Sequence, residues 1–190
     1  MAKLDANEII GLLHGKLGGL IFSRTQDGQI QVRRRPVRRA AFREGELTNQ
    51  QTFARAIAYV AAARQEPELY TPYQQAGKLK GKRACDLAHS DFRNPPVITD
   101  IDLSAYTGSP GQRILVQAVD DFEVVRLVVT VAKVDHEVIE IGTAAQVPET
   151  GAWRYVTQLS AAGLQVVTIH VTAFDRPGNA VTRSVDHALF

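Results

Sequence analysis

The chain has 190 residues, 45% of them apolar, and a formal net charge of +2. This length allows one large or two small domains, and the apolar fraction is sufficient for packed cores, which argues against a globally disordered protein. Cys85 is the only cysteine, so an intramolecular disulfide and a cysteine-rich metal cage are both excluded.

The net charge hides a change of character at Asn94-Pro95-Pro96. Residues 1–95 contain 16 Lys plus Arg against 9 Asp plus Glu, whereas residues 96–190 contain 6 against 11, so the halves carry formal charges of +7 and −5. Such polarity is more typical of interaction surfaces than of catalysis. We predict a basic hairpin and helical region for assembly or binding at 1–94, and a second domain at 95–190.

The N-terminus lacks the pattern of a signal peptide. Its apolar stretch from Ile9 to Leu13 is short and interrupted by Gly11, and Asp5 and Glu8 are acidic. No run of the sequence approaches the roughly 20 apolar residues of a membrane span. We therefore expect a cytoplasmic protein with no membrane span. Release from the cell or packaging in an extracellular assembly is left open.

Residues 18–35 have the pattern of a β-hairpin. Leu20–Phe22 and Ile30–Val32 are β-prone, and Asp27-Gly28 between them favours the positive φ angles of a type I′ turn. The second strand leads directly into an arginine-rich segment, where Pro36 ends strand pairing and begins an extended basic arm.

The next segment has helical spacing. A helix is predicted from about 49 to 64, with Thr48 as the N-cap of a capping box. Its apolar face is formed by Phe53, Ile57 and Val60, while alanines fill much of the remainder.

One or two further helices follow. A short helix could begin at Pro67, and another is predicted near 82–93, stopped by Asn94-Pro95-Pro96. The basic run from Lys78 to Arg83 lies just before or within the first turn of the latter helix. Cations are unfavourable at the N-terminal end of a helix, so we expect a packing or binding reason for this run.

From Val97 onward the pattern alternates with period two. Val167, Ile169 and Val171 alternate with polar residues, as in a strand with one buried face, and Val124–Val131 is typical of a central strand. Roughly seven short strands separated by turn signals are typical of an immunoglobulin-like sandwich, and the missing Cys…Trp…Cys framework excludes an antibody-type domain. The predicted core residues are Trp153, Val116, Val128, Ile169 and Val171.

Three segments carry a resemblance to known proteins: Ile114-Leu-Val-Gln-Ala-Val-Asp-Asp121, Trp153-Arg-Tyr155 and Val171-Thr-Ala-Phe-Asp-Arg-Pro-Gly-Asn179. With them, residues 97–190 resemble the Ig-like or fibronectin-type modules of bacterial surface and phage proteins. The whole chain resembles uncharacterised bacterial proteins that open with a Gly-Lys-x-Gly hairpin, here Gly15-Lys-Leu-Gly18 through Arg35-Pro36, and end in an Ig-like module. The resemblance implies an α+β N-terminal region, a β-hairpin plus two or three helices, followed by an all-β immunoglobulin-like sandwich. It implies no activity.

The basic arm is the leading candidate for a binding surface. Its arginines could neutralise phosphates in a salt-dependent manner, dock on an acidic patch of a neighbouring subunit, or remain solvated. No helix-turn-helix or zinc-finger signature accompanies it, which argues against sequence-specific DNA binding. The candidate residues for nucleic-acid or subunit contact are Arg33, Arg34, Arg35, Arg38, Arg39, Lys78, Lys80, Lys82 and Arg83.

Two other groupings have simpler explanations. Asp120, Asp121, Glu123 and Asp175 could hold Ca²⁺ with hard oxygens, but caps of turns at Asp121 and Asp175 explain the same residues, and no loop of repeated acidic ligands is present. We therefore predict no metal site.

Cys85 and His89 share one face of a predicted helix, at the i, i+4 spacing that a nucleophile and its base would need. A buried cysteine beside a surface histidine explains the same residues, and no oxyanion or substrate-positioning motif accompanies the pair. We predict no catalytic residue, no cofactor and no enzymatic activity.

Two classes of function remain. The leading hypothesis is a non-enzymatic structural protein that self-assembles into a filament or particle through its N-terminal region and displays or interlocks an Ig-like module. The hairpin region is too thin to be self-sufficient and gains most from packing on another chain. The alternative is a protein that coats nucleic acid without regard to sequence, using the arm Arg33–Arg39. The expected partners are copies of the same chain or nucleic acid.

Overall fold

The computed structural model describes residues 2–4, 15–25, 29–37 and 44–189. By contacts between residues the chain divides into two compact units, Met1–Leu47 and Thr48–Phe190. The predicted turn at Asp27-Gly28, the apolar stretch Ile9 to Leu13 and the arginines Arg38 and Arg39 lie outside the described residues.

The N-terminal unit contains a four-stranded antiparallel sheet in the order β1-β4-β3-β2. Its strands are β1 (Ala2–Leu4), β2 (Gly15–Leu17), β3 (Leu20–Arg24) and β4 (Ile30–Arg34). The predicted hairpin is the β3–β4 pair, in which Phe22 lies opposite Val32. At its end the backbone N–H of Thr25 donates to the Gln29 carbonyl over 2.8 Å. The hairpin prediction is therefore confirmed, as part of a larger sheet.

Three helices follow: α1 (Glu44–Ala63), α2 (Pro67–Lys80) and α3 (Ala84–Arg93). α1 begins one turn before the predicted start, so the prediction of Thr48 as its N-cap is wrong. Glu46 and Leu47 are good helix formers, and the acidic Glu46 is favoured near the positive end of the helix dipole, which together offset the cost of about 1 kcal/mol for Gly45.

The end of α2 changes the interpretation of the basic run. The helix ends at Gly81, whose φ of 63° is left-handed and whose N–H donates to the Gly77 carbonyl. Lys78 and Lys80 lie in the last turn of α2, where the negative end of the helix dipole favours cations. The expectation that these lysines lie at an unfavourable helix end is therefore wrong, and their position needs no special explanation.

The rest of the chain forms two four-stranded antiparallel sheets, β5-β6-β10-β9 and β12-β11-β7-β8. The strands are β5 (Val97–Asp102), β6 (Arg113–Val119), β7 (Val124–Lys133), β8 (Val138–Thr143), β9 (Ala145–Gln146), β10 (Trp153–Val156), β11 (Val166–Asp175) and β12 (Ala180–Ala188). β7 and β11 are interior strands of one sheet, as the apolar pattern of Val124–Val131 predicted.

The core of this region lies between the inner faces of the two sheets. Trp153, at 6% exposure, and Val116 contribute from one sheet, and Ile169 and Val171 from the other, as predicted. Val128 was wrongly placed in the core. It is only half-buried because the pleat of β7 sends its neighbours on either side inward, while Val128 lies opposite Thr172 of β11.

The helices belong to the same compact unit as the two sheets. The ring of Tyr73 on α2 lies 4.4 Å from the ring of Phe122, between β6 and β7. The Asn179 side-chain amide donates to the carbonyls of Asp91 and Phe92 at the end of α3. The predicted boundary near residue 95 thus lies inside the second unit, and independent folding of residues 95–190 stays a prediction.

Candidate functional site

The first part of the basic arm leaves the N-terminal sheet at the end of β4. The Arg35 N–H donates to the Gly19 carbonyl over 2.7 Å, which fixes the backbone up to this residue. Arg33, Arg34 and Arg35 are exposed, and within the described ranges no carboxylate forms an ion pair with them. Three unpaired guanidinium groups in sequence are therefore available to a partner.

The sheet from which the arm departs carries exposed apolar side chains. Leu17 on β2 is 63% exposed and Leu20 on β3 is 39% exposed. Phe22 and Val32 are half-buried, and Ile30 is the only buried side chain among residues 15–25, 29–37 and 45–47 of this unit. A β-sheet normally buries one face against a second layer of structure. The described part of this unit provides little of such a second layer.

The second basic run lies at the α2–α3 turn, where all of its side chains are exposed. Lys78, Lys82 and Arg83 line an open concavity of about 570 Å³. Arg83 is already committed to Asp86, with nitrogen–oxygen distances of 2.8 and 2.9 Å, and its guanidinium lowers the pKa of the Asp86 carboxyl. Among the described residues, the run therefore presents three lysines without an ion-pair partner, instead of four unpaired cations.

Cys85 and His89 do lie on one face of α3, where they line a groove of about 340 Å³ against α1. The ring of His89 contacts that of Phe53 edge-on with centroids 4.9 Å apart, and the buried His89 Nε2 has no hydrogen-bond partner within the described ranges. Cys85 Sγ instead contacts Asp86 Oδ1 over 3.8 Å. In the part of the chain that the structure describes, no hydrogen bond joins the thiol to the imidazole.

The predicted acidic grouping is divided by the structure. Asp121 accepts hydrogen bonds from Ser90 Oγ and Asn94 Nδ2 of the α3 end, over 2.9 and 2.5 Å. Glu123 forms an ion pair of 2.6 Å with Arg176. Asp121 and Glu123 therefore bind other side chains and are not grouped with Asp120 and Asp175.

The two other acids cap turns with their carboxylates. Asp175 Oδ1 accepts from the backbone N–H groups of Gly178 and Asn179, which confirms the predicted cap. Asp120 Oδ2 accepts from the N–H groups of residues 122 and 123. The predicted cap at Asp121 is therefore wrong, because the preceding aspartate takes this role.

Asp91 of α3 joins these two residues in a cluster that the sequence analysis missed. Asp91, Asp120 and Asp175 each offer a carboxylate oxygen, and these oxygens lie within 4.8 Å of one another. Asp91 is fully buried, and its Oδ2 accepts a hydrogen bond from the Tyr73 hydroxyl, which in turn lies 3.0 Å from the Tyr59 hydroxyl. Asp91 Oδ1 and Asp120 Oδ1 are buried, and neither has a hydrogen-bond donor among the residues that the structure describes.

The cluster disfavours simultaneous ionisation of all three carboxylates. Burial, supported by the proximity of Asp120 and Asp175, raises the pKa of Asp91 to about 8. Burial also raises the pKa of Asp175. Since like charges this close repel strongly in a desolvated site, the cluster needs a proton or a cation to balance its charge.

Comparisons with known proteins give little beyond this geometry. No protein-family model and no curated protein matches the chain. Among solved structures, the chain is similar to a tetra-tandem repeat in the extending region of a large adhesion protein, with a TM-score of 0.35 and 18% sequence identity. That match covers 50% of this chain and 23% of the other chain. Among the described helices, none is both long and apolar enough to cross a membrane.

Proposed function

We propose that the chain is a non-enzymatic structural protein that assembles with copies of itself through its N-terminal unit and displays an Ig-like module. The observation that supports assembly is the exposure of Leu17 and Leu20 on a sheet whose described residues include one buried side chain, Ile30. Burying such side chains against another chain is favourable by about 25 cal/mol for each Å² of apolar surface removed from water.

The edges of the N-terminal sheet offer a second contribution. β2 forms one edge, and within the described residues it pairs only with β3. An edge strand presents unpaired backbone N–H and C=O groups that can be extended by a strand of another molecule. A second copy of this chain can therefore supply both strand pairing and an apolar covering layer.

The strand order supports an Ig-like assignment of the second unit's sandwich. The spatial strand order β5-β6-β10-β9 matches the A-B-E-D sheet of a constant-type Ig domain when β5 is equated with strand A. The order β12-β11-β7 matches G-F-C of the other sheet, and β8 is an additional strand beside β7. The buried tryptophan departs from the antibody pattern, because Trp153 lies on β10 instead of the strand that corresponds to C.

Charge complementarity can set the register of the assembly. The formal charges of +7 and −5 on the two halves favour head-to-tail contacts, which propagate into rings or filaments. Exposed ion pairs are weak and are screened beyond about 8–10 Å at physiological salt. Salt should therefore slow assembly, while apolar burial holds the assembled state.

Light scattering of the full chain tests self-assembly. We expect oligomers at tens of micromolar in both low and moderate salt, with filaments, rings or closed particles in electron micrographs. A Leu17→Lys and Leu20→Lys double variant should remain monomeric because it places charge on the apolar sheet. The control, Leu79→Lys, introduces the same side chain at a leucine of α2 that is also well exposed. A monomeric wild type, or equal assembly of the double variant, would refute this proposal.

Nucleic-acid coating is a second candidate function, favoured by the exposed and unpaired Arg33, Arg34 and Arg35. Binding through phosphates alone is independent of sequence and falls steeply with salt. Replacing these three residues together with Arg38 and Arg39 by Ser should lower the log–log salt slope by a few units, at about 0.9 per lost phosphate contact. Unretarded DNA at low salt with the wild type would exclude this function.

A further inference from the structure

The buried aspartate cluster joins three parts of the second unit that are distant in sequence. Asp91 comes from α3, Asp120 follows β6, and Asp175 ends β11. One oxygen of each lies within 4.8 Å of the others. The cluster is therefore located where α3 meets two loops of the sandwich.

The hydrogen bonds at Asp91 favour its ionised form. The Tyr73 hydroxyl donates to Asp91 Oδ2, and Tyr59 continues this chain of hydroxyl groups. Hydrogen bonds donated to a carboxylate stabilise its negative charge. The protein thus directs one hydroxyl donor to the Asp91 carboxyl and brings two more carboxylates to it, an arrangement that is unfavourable unless a proton or a cation balances the charge.

The unpartnered oxygens give the second, independent indication. Asp91 is fully buried, and among the described residues neither its Oδ1 nor the buried Asp120 Oδ1 accepts from a donor group, so only a proton shared by the two carboxyls or a cation can satisfy these oxygens. Leaving a buried acceptor unsatisfied costs about 1–3 kcal/mol, and more for a charged group. The neighbouring cation, Arg176, directs its terminal nitrogen to Glu123 instead, over 2.6 Å.

We propose that Asp91, Asp120 and Asp175 bind a hard divalent cation of the Ca²⁺ class, which ties α3 to the loops of the sandwich. Carboxylate oxygens are preferred ligands of Ca²⁺, which completes its 6–8 oxygen ligands with water or backbone carbonyls. Ca²⁺ tolerates irregular geometry, whereas Mg²⁺ requires a near-ideal octahedron and retains its waters. The site differs from the grouping considered in the sequence, since Asp91 belongs to it and Asp121 and Glu123 do not.

Calorimetry on the full-length protein tests the site. The protein is stripped with EGTA, transferred to chelator-free buffer, and titrated with CaCl₂, with MgCl₂ in parallel. We expect one Ca²⁺ per chain, weaker binding of Mg²⁺, and a melting temperature that rises with Ca²⁺ concentration because the ion binds the folded state. If CaCl₂ produces neither heat nor a shift in melting temperature, the proposal is overturned. The charge of the cluster would then be balanced by a proton that the carboxyls share.

Matched variants locate the binding. Asp91→Asn and Asp120→Asn each remove one charge with little change of shape. Each should weaken Ca²⁺ binding at least about tenfold, because losing a residue that merely orients a metal ligand already weakens binding by about that factor. Asp121→Asn, an exposed neighbour outside the cluster, should bind Ca²⁺ as the wild type does. If Asp91→Asn fails to fold, Asp120→Asn decides. Wild-type affinity in both cluster variants would overturn the proposal in favour of an adventitious surface ion.

Discussion

The N-terminal sheet and the sandwich are built from similar alternating strands but bury them to different extents. In β11, Val167, Ile169 and Val171 are inaccessible to solvent. In β3 and β4 of the N-terminal sheet, only Ile30 is buried, and Leu20 remains 39% exposed. Period-two alternation therefore identifies a strand with one apolar face, whereas burial of this face depends on a second layer, here the opposite sheet of the sandwich.

Replacing Trp153 with Ala should have the largest effect, because it removes the largest ring from the core between the two sheets of the sandwich. We expect a loss of about 3–5 kcal/mol in the free energy of unfolding, from lost packing and the cavity that remains. Arg154→Ala on the same strand is exposed and serves as the control, with an effect within about 0.5 kcal/mol. Urea unfolding measures both. A loss below about 1 kcal/mol for Trp153→Ala would contradict the central position of its ring.

Glycine substitutions in the two regions should also differ in their effect on stability. A Cβ at Gly142 on β8 would lie 2.6 Å from a ring carbon of Tyr155, whereas a Cβ at Gly19 in the N-terminal unit would meet no atom within 4 Å. Gly142→Ala should therefore destabilise by about 1–3 kcal/mol through overpacking. Gly19→Ala should change stability by less than about 0.5 kcal/mol. Equal effects of the two substitutions in denaturant unfolding would show that both regions are packed alike.

The fold could be predicted from the sequence where the signal is local. The alternation around Ile169 and the apolar stretch at Val124–Val131 predicted strands because the side-chain direction in a strand follows directly from sequence position. Helix ends were less predictable. Lys78 and Lys80 were assigned to the wrong helix end because α2 extends to Lys80, longer than its pattern suggested.

The acidic cluster could not be predicted because its partners meet only in three dimensions. Asp120 and Asp175 were grouped correctly, since each lies beside a strand end of the sandwich. Asp91 instead reads as an ordinary polar residue of α3. No local pattern shows that Tyr73 donates to it, or that α3 packs on these loops, so the cluster required the tertiary structure.

Alkaline pH should destabilise the second unit selectively, because all five tyrosines belong to it. Burial, with repulsion from Glu140, raises the pKa of Tyr155 to about 12. Between the ordinary tyrosine pKa of about 10 and this value, the unfolded chain releases a proton that the folded chain retains, so stability falls as pH rises. Burial also raises the pKa of Tyr59, Tyr73 and Tyr106, so these residues add to the slope, and Tyr155 alone contributes on the order of 1 kcal/mol per pH unit in this range. Tyr155→Phe should therefore reduce the slope measured by urea unfolding at several pH values by about this amount, and an unchanged slope would contradict this assignment.

The smallest effect on the isolated chain is expected at the N-terminal sheet. Leu20→Ala should cost no more than about 1 kcal/mol in dilute protein, because this side chain is 39% exposed and buries only part of its surface in the single chain. Val171→Ala, at a fully buried strand position, should cost several times more.

If copies of the chain cover the sheet, wild-type stability should increase with protein concentration, and Leu20→Ala should weaken this dependence, since association stabilises the folded state by mass action. Unfolding curves at two concentrations about a hundredfold apart measure both effects. A large loss for Leu20→Ala in dilute protein would mean that its side chain is already packed within the single chain, and that assembly is not what buries it.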